Sequence, residues 1–307
     1  MSAPLVSVII PTYNGARTIR ETLDSVFTQT YPNLEIVVVD DQSKDDTAEI
    51  LRSYGDRIVF KRRDTNSGVC DRTRCDAIAM ARGDYCAFID QDDLWTPDTL
   101  EKQIALMEAR PELPLSHTYM NVIDESGRVQ EIRHEGRIPP TGPCARELLE
   151  HCFVTISSIA VRPQVWLDAQ REHGMHFSNT DIETLLLILR RYPAGFGFIP
   201  EVLGSYRRWS QSMSRQNWQW TPEDVNELDR VYRSRYWEGL VEHGDVRRII
   251  GRAYATNAEY HRHQGRPGRA LHFVRRGLRY APFSVGLHAT AAKALARGLA
   301  GQGFATA

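Results

Sequence analysis

The sequence is short of the features that define several classes of protein. Its five cysteines are irregularly spaced and lack the paired spacing of a zinc site, so we expect free thiols in a reducing compartment. No stretch approaches the roughly 20 apolar residues of a membrane span. The start MSAPLVSVII lacks the basic region of a signal peptide. The net charge of −1 argues against a globally basic nucleic-acid binder. We therefore predict a cytoplasmic protein that does not bind nucleic acid.

Three carboxylates follow a predicted strand in the run FIDQDDLW, residues 88–95. Asp90, Asp92 and Asp93 would repel one another there, and each would lose hydration if left unpaired. A divalent cation would relieve both costs, because Mg²⁺ and Mn²⁺ take carboxylate oxygens together with substrate phosphates. The run therefore indicates a metal–diphosphate site or, alternatively, an Asp-rich turn that caps the helix expected from Pro97.

Strands and helices alternate through the first part of the chain. Predicted strands are LVSVIIPTYN, LEIVVVDDQS, RIVFKR and YCAFID, with helical patterns between them. This alternation predicts βαβ units and a mostly parallel sheet, hence an α/β fold. Such a sheet binds ligands where its strands end. The polar residues at those ends are Tyr13, Asp40, Asp41, Asp90, Asp92 and Asp93.

Several motifs in series resemble those of the family-two glycosyltransferases of the GT-A fold. They are VSVIIPTYN, LEIVVVDDQSKDDT, NSG followed by Arg74, ARGDYCAFIDQDD and a later TDIETLLL, and they span roughly residues 4–210. PTYN, VDDQS and DQDD together are a specific signal, whereas each alone is weak. The resemblance implies a Rossmann-like sheet flanked by helices. It also implies inverting transfer of a sugar from a nucleotide diphosphate sugar, usually a UDP-sugar.

The resemblance places the donor nucleotide on the first half of the sheet. Tyr13 would stack on uracil, and Asp41 would accept the hydrogen bond of the uracil N3–H. Pro11 and Thr12 would form the floor of the pocket. On the residue alone, Tyr13 is more simply an aromatic side chain packed at a strand end. The other predicted nucleotide-sugar-binding residues are Asp40, Asn66, Gly68, Arg74, Asp90 and Gln91.

Asp90 and Asp92 match the DXD motif of the family. The resemblance makes Asp92 the main protein ligand of a Mn²⁺ or Mg²⁺ cofactor, with Asp90 facing the ribose or the water shell of the metal. Asp93 is a further candidate ligand, a helix cap or a hydrogen-bonding neighbour. The metal would bridge both phosphates and neutralise the leaving diphosphate. Arg74 would pair with Asp90 or with a phosphate, and Arg72 competes for this role.

An inverting transfer needs one general base, which deprotonates the acceptor hydroxyl opposite the leaving diphosphate. The family draws this base from a Glu-Asp pair that opens a helix, and the corresponding stretch here is FSNTDIETLLLILRRY. Asp181 matches the Asp of that pair, while Thr180 replaces the Glu. The helix dipole would keep a carboxylate ionised in this first turn. Asp181 is therefore the predicted base and Glu183 the reserve, although two such acids could also simply stabilise the helix.

The segment IPEVLGSYRRWSQSMS resembles the closing stretch of the family, in which YR is followed by a His. Trp209 or Arg208 occupies the His position here, which puts a metal or diphosphate ligand at that position in doubt. We predict that Arg207, Arg208 and Arg215 clamp the diphosphate from a mobile loop. The alternative is a solvated basic loop.

The chain changes character after residue 215. Residues 247–279 hold nine Arg and a single acid, Glu259, in a pattern of helix, Gly-Pro turn and helix. This bias predicts peripheral contact with an anionic leaflet near a lipid-linked acceptor, or helices packed on the catalytic domain or in a homo-oligomer. We predict a nucleotide-sugar-binding half at 1–114, an acceptor-binding half of the same domain at 115–215, and a helical C-terminal region at 216–307.

Taken together, these features predict a metal-dependent inverting glycosyltransferase of cell-surface polysaccharide or glycoconjugate synthesis. It would act on a saccharide or lipid-linked acceptor, in the cytoplasm or at the inner face of the membrane. One alternative is a nucleotide-sugar-binding relative without turnover, which the departures at Thr180 and Trp209 would fit. A nucleotidyltransferase would normally have a Gly-rich basic loop after its first strand, and PTYNGART lacks that loop.

Overall fold

The computed structural model describes residues 3–138, 141–173, 181–209 and 229–299. The chain divides into two compact units, Met1–Trp209 and Ser210–Ala307. This division lies close to the predicted boundary at residue 215. Residues 216–228 of the predicted helical C-terminal region lie outside the described residues.

Four parallel strands and the helices between them form the first half of the catalytic unit. Their sheet order is β3-β2-β1-β4. The strands are β1 (Val6–Thr12), β2 (Leu34–Asp40), β3 (Val59–Arg62) and β4 (Tyr85–Phe88). The helices are α1 (Ile19–Phe27), α2 (Thr47–Arg52) and α3 (Cys70–Met80), with a 3₁₀ turn at Gly55–Arg57. This half has the βαβ pattern that the sequence predicts.

The apolar patterns of these segments explain where they lie. β1 is buried along its whole length and β2 over its last five residues, as expected for parallel strands covered on both faces. On α1, Ile19, Leu23 and Val26 recur at helical spacing and are all buried. Because the first strands are buried in the sheet, only their carboxyl ends can present polar groups to a ligand.

The second half of the unit has a mixed sheet. Its elements are β5 (Leu94–Trp95), α4 (Thr99–Ala109), β6 (Leu115–Ile123), β7 (Val129–Ile132), α5 (Ala145–His151), a 3₁₀ turn at Ile156–Ser158, β8 (Ala160–Val161), α6 (Pro163–Glu172), α7 (Asp181–Arg191) and β9 (Gly197–Arg207). The sheet continues in the order β4-β8-β6-β9-β5, with β7 beside β6.

The expectation of a mostly parallel sheet therefore holds better for the first half than for the second. In the second half β6 and β9 pair in parallel, whereas β5, β7 and β8 pair antiparallel with their neighbours. β7 follows β6 after a short turn, and a short hairpin connection forces antiparallel pairing. The α/β class itself is confirmed.

Three helices form most of the described C-terminal unit. They are α8 (His243–His263), α9 (Pro267–Gly277) and α10 (Val285–Leu299), so the predicted sequence of helix, Gly-Pro turn and helix is confirmed. The buried ring of Tyr254 stacks on Tyr280 at 5.8 Å. A Cβ at Gly277 would lie 2.6 Å from the Cβ of Tyr254, so the close approach of α8 and α9 requires glycine. Among the described helices, none is long and apolar enough to cross a membrane.

Candidate active site

The ends of β1 and β4 are held together by the side chain of Gln91. Its carbonyl oxygen accepts hydrogen bonds from the Thr12 hydroxyl and from the Tyr13 amide (2.9 Å), while its amide donates to the Tyr13 carbonyl (3.0 Å). A Cβ at Gly15 would lie 2.4 Å from the same carbonyl oxygen, so a larger residue there would displace the Gln91 side chain. Tyr13 is 40% exposed, so its ring is open to a ligand, and the stacking role stays a prediction.

The paired carboxylates at the end of β2 are both buried and both bonded to protein groups. Asp40 accepts hydrogen bonds from the Ser43 amide (3.1 Å) and hydroxyl and pairs with Arg62 at 3.2 Å. Asp41 pairs with the Nε of Arg63 at 2.9 Å. These partners fix both carboxylates and balance part of their charge.

Asp41 also organises the NSG loop that follows β3. Its oxygens accept the amide (2.9 Å) and hydroxyl (2.8 Å) of Ser67, and its carbonyl accepts the Asn66 side-chain amide at 2.7 Å. The Asn66 side chain in turn accepts the Gly68 amide at 2.8 Å, and Gly68 has the φ of +71° that favours glycine. The predicted nucleotide residues of β2 and of this loop therefore form one connected network. Recognition of uracil by Asp41 stays a prediction.

Arg74 is the electrostatic centre of the site. Its buried guanidinium pairs with Asp71, lies 3.3 Å from an Asp90 oxygen and lies 3.9 Å from an Asp181 oxygen. Burial opposes the charge of Arg74, but the neighbouring acids outweigh burial and raise its pKa. Of the two partners predicted for Arg74, the structure has Asp90, while the competing Arg72 is exposed. A single cation thus links α3, the end of β4 and the start of α7.

The other two acids of the DQDD run differ in exposure. Asp93 is fully buried, and its oxygens accept the Arg207 amide (2.8 Å) and the Ser157 hydroxyl. Burial and the neighbouring acids raise the pKa of Asp93 well above its usual range. Asp92 is half-buried and accepts the indole N–H of Trp209 at 3.0 Å. Burial, followed by the charge of Asp90, raises the pKa of Asp92 to about 6.

These acids fit a divalent ion that is held mainly by a substrate. In the part of the chain that the structure describes, no group of three or more His, Cys, Asp or Glu residues is arranged as a metal site. Asp92 and Asp90 offer two neighbouring carboxylates whose repulsion a cation would relieve. Mg²⁺ commonly combines one or two carboxylates with substrate phosphates and water. The donor set matches that kind of binding.

The two candidate bases on α7 have different surroundings. Glu183 is 1% exposed and hydrogen-bonds His173 at 3.0 Å. Its burial and its contact with His173 favour Asp181 over the reserve Glu183, and both assignments stay predictions. The Asp181 side chain is 29% exposed and lies beside Arg74. Asp181 is the more exposed acid of this pair. Asn179 and Thr180 lie outside the described residues.

The predicted diphosphate clamp is not supported by the arginines at the end of β9. Arg207 is the last residue of that strand, and its buried guanidinium bonds Glu21 (2.7 Å) and the Asp92 carbonyl (3.0 Å). Arg208 pairs with Glu131 at 3.4 Å. The side chain of Arg207 joins α1 to the DQDD turn, which does not favour the clamp role, and that role stays a prediction. Arg215 lies outside the described residues.

Some residues at the site carry no recognisable sequence signal. Ser157 lies in FVTISSIA, yet its hydroxyl accepts the Asp90 amide at 3.0 Å and donates to Asp93. Arg17 lies 5.2 Å above the Trp209 ring and pairs with Glu125 at 3.2 Å. The sequence marks Trp209 only as a departure from the family pattern. The contact between its indole and Asp92 follows from the fold.

Comparison with known proteins decides the family. The family model described as Glycosyl transferase family 2 matches residues 7–169, just over half of the chain. The chain belongs to glycosyl transferase family 2. The Bacillus subtilis protein named "Putative teichuronic acid biosynthesis glycosyltransferase TuaG" is 32% identical over 223 residues, 70% of this chain and 83% of that protein.

Other relatives of this family 2 member match over shorter stretches. An uncharacterized glycosyltransferase of Rickettsia typhi is 44% identical over 105 residues, 34% of this chain, and the match spans only 32% of that relative. The Escherichia coli protein WfaP, named a UDP-Glc:alpha-D-GlcNAc-diphosphoundecaprenol beta-1,3-glucosyltransferase, is 41% identical over 105 residues. That match covers 34% of this chain and 41% of WfaP.

Solved structures establish the fold of this family 2 chain. S. aureus TarS in complex with UDP-GlcNAc aligns over 95% of this chain and 88% of its own, with a TM-score of 0.66 at 19% identity. The mannosyltransferase PcManGT from Pyrobaculum calidifontis, in complex with GDP-Man and Mn²⁺, covers 100% of this chain and 89% of its own. Its TM-score is 0.59 at 18% identity. The GT-A fold predicted from the sequence is confirmed.

Proposed function

We propose that this chain is an inverting glycosyltransferase that moves a sugar from a UDP-sugar to an acceptor hydroxyl. Membership of family 2 supports the reaction class. The UDP-GlcNAc complex of TarS supports a uridine nucleotide, while the GDP-Man complex of PcManGT shows that the fold also accepts guanine. The observation that carries the proposal is the Arg74 cluster, which brings the DXD acid Asp90 and the candidate base Asp181 to one cation.

The donor nucleotide would bind across the ends of β1 and β2. The exposed ring of Tyr13 offers a face on which a base can stack. The short contacts of Gln91 hold the backbone of Tyr13, so the ring stands on a fixed support. Asp41 would accept the N3–H of uracil, and Arg63, 2.9 Å from one of its oxygens, holds the carboxylate in place. Residues 1–114 would thus be the nucleotide-sugar-binding half.

Asp92 and Asp90 would hold Mn²⁺ or Mg²⁺, which when bound neutralises charge on the leaving diphosphate. The Trp209 indole donates to one oxygen of Asp92 and so orients the carboxylate that would bind the ion. Asp93 would support this turn from below rather than bind the ion, since its oxygens are bonded to Ser157 and to the Arg207 amide. The Mn²⁺ in the PcManGT complex supports a divalent cofactor.

Asp181 would act as the general base. One of its oxygens would take the proton of the acceptor hydroxyl as the acceptor oxygen forms a bond to the anomeric carbon. The diphosphate would leave from the opposite face with the electron pair of the broken bond, which inverts the configuration. Arg74 at 3.9 Å and the start of α7 both favour the ionised carboxylate that this step requires.

The acceptor would be a saccharide or a lipid-linked saccharide of cell-surface polysaccharide synthesis, bound by the second half of the catalytic unit. This substrate class is supported by two relatives, TuaG, named for teichuronic acid biosynthesis, and WfaP, named for a diphosphoundecaprenol-linked GlcNAc. Such an acceptor would place the enzyme at the inner face of a membrane, with the basic C-terminal unit as its contact. The chain would also be able to form a homo-oligomer.

A nucleotide-sugar screen tests the proposal. Purified protein is tested for thermal stabilisation by UDP-, GDP- and dTDP-sugars with Mn²⁺ and with chelator. The donor that stabilises it is then incubated with saccharide acceptors, and release of UDP and the anomeric configuration of the product are measured. We expect metal-dependent stabilisation by a UDP-sugar and an inverted product. Binding without any release of UDP would identify a binding relative. Release of pyrophosphate in a parallel assay with UTP and a sugar 1-phosphate would identify a nucleotidyltransferase.

A further inference from the structure

Positive charge is concentrated at the C-terminal end of the chain. After Glu259 the sequence contains seven Arg and one Lys but no Asp or Glu. Since the whole chain has a net charge of −1, the first 259 residues are net negative. The basic residues lie on the end of α8, on α9 and on α10, so an anionic partner would meet this unit at these helices.

Helix α9 presents two of these arginines beside apolar side chains. An open groove there is lined by Leu271, Val274, Arg275, Leu278 and Arg279. Arg275 and Arg279 are exposed, and within the described residues no carboxylate pairs with either. Arg276 differs, because it turns to Asp229 and to the ring of Tyr254. The charges of Arg275 and Arg279 are therefore available to an external anion.

The turn after α9 adds apolar side chains that the unit does not bury. Phe283 is 93% exposed and Val285 is 83% exposed. Large exposed apolar groups next to arginine are typical of surfaces that enter a membrane interface. Arg279 and Phe283 are four residues apart, so their Cα atoms lie within about 14 Å. A flat anionic surface could therefore contact both at once.

We propose that this α9 surface, formed by Arg275, Leu278, Arg279, Phe283 and Val285, binds anionic membrane lipid. The arginines would pair with lipid phosphates, and the apolar side chains would enter the boundary between headgroups and acyl chains. The charge favours a lipid leaflet, because no acid lies in the sequence beyond Glu259 to repel it. The inference rests on the proposed function only in placing the acceptor at a membrane.

Vesicle binding by the full-length protein tests this surface. The protein is sedimented with phosphatidylcholine vesicles that contain or lack phosphatidylglycerol, at low and high salt. We expect binding to the anionic vesicles alone, weakened by salt. Arg275→Gln with Arg279→Gln should weaken partitioning about 30-fold, from about 1 kcal/mol for each arginine near the surface. Phe283→Ser should weaken it about tenfold or more, because one buried aromatic contact is lost.

The matched control removes two exposed arginines from the catalytic unit. Arg52→Gln with Arg110→Gln changes the net charge equally and should leave vesicle binding unchanged. Equal binding to neutral vesicles, or unchanged binding by the Arg275 and Arg279 pair, would overturn the inference. UDP affinity is measured for every variant, so a failed membrane assignment is distinguished from a failed donor assignment.

A second copy of the chain is the competing occupant of this surface. Sedimentation velocity without vesicles measures self-association of the wild type and of Phe283→Ser. If this substitution separates an oligomer while the wild type never binds vesicles, the α9 surface joins copies and the lipid inference is wrong. A monomer that binds anionic vesicles supports it.

Discussion

Replacing Arg74 perturbs the electrostatic centre of the candidate site. The Arg74 side chain is 3% exposed and pairs with Asp71, whose side chain is 6% exposed. Removing one partner of a buried pair costs about 3–5 kcal/mol, because the remaining charge stays buried without compensation. Arg74→Met should therefore lower the free energy of unfolding by about 3–5 kcal/mol near pH 7. It should also lower turnover, since Asp90 and Asp181 lose their common partner.

The stability loss should depend on pH in one direction. Burial already raises the pKa of Asp71 in the wild type, and removal of the Arg74 charge would raise it further. A carboxyl group with a higher pKa in the folded state binds protons more tightly when folded, so stability falls as the pH rises. The deficit of Arg74→Met should be largest at neutral pH. It should shrink as the pH approaches the ordinary pKa of Asp, about 4.

Urea unfolding followed by tryptophan fluorescence measures this loss. Trp166 is a local reporter, because its ring lies 6.0 Å from the Arg74 guanidinium. Asp71→Asn in the Arg74→Met background should recover much of the stability, since it removes the stranded charge. Arg82→Met is the control: Arg82 is 75% exposed and pairs with Glu35, so its loss should cost less than about 1 kcal/mol. Equal losses in both arginine variants, or no recovery by Asp71→Asn, would refute the reasoning.

Three further substitutions separate the roles of the remaining acids. Asp181→Asn should keep UDP-sugar affinity near wild type and lower kcat roughly 10²–10⁴-fold, and unchanged kcat would exclude it as the base. Asp92→Asn should abolish the Mn²⁺ dependence of UDP binding measured by calorimetry. Equal UDP binding by the wild type with and without chelator would contradict the assignment. In the wild type, Mn²⁺ affinity should fall as the pH drops through 6, because protons compete for a carboxyl whose pKa is about 6; a flat profile from pH 5 to 7 would contradict this. Asp41→Ala should weaken UDP binding by about 1–3 kcal/mol, and Ser67→Ala should weaken it less. A wild-type preference for GDP would refute the assignment of Asp41 to uracil.

The sequence predicts the positions of site residues where a local pattern fixes them. The strand ends at Tyr13, Asp41 and Asp90 can be predicted because an apolar run stops at a polar residue in each case. Parallel strands end at one edge of the sheet, so these residues are expected to lie together. The start of α7 can also be predicted, from the acids of its first turn and the apolar stripe that follows. These are short-range features, and the structure has them where the sequence predicts them.

Local patterns do not give the contacts between residues far apart in the chain. Basic residues near a diphosphate site suggest a clamp, whereas the partner of Arg207 in the structure is Glu21, 186 residues away in the chain. Glu183 and Asp181 lie in the same helical turn, and no local signal says which of them faces His173. Burial separates the two acids, and burial is a property of packing rather than of sequence position. The family resemblance ranks Asp181 first, and the structure adds the difference in burial between the two acids.

Trp209 stands where the family pattern has a His, and in this structure it contacts Asp92. An imidazole at that position could bind a metal, whereas an indole N–H can only donate a hydrogen bond. The indole donates to Asp92 at 3.0 Å, and its ring is covered by Arg17, itself paired with Glu125. The position therefore orients a carboxylate instead of adding a ligand. With one Asp92 oxygen held in this way, a divalent ion would depend on the other oxygen, on Asp90 and on the diphosphate. Metal and donor should consequently bind together, because neither the described acids nor the nucleotide alone complete the coordination.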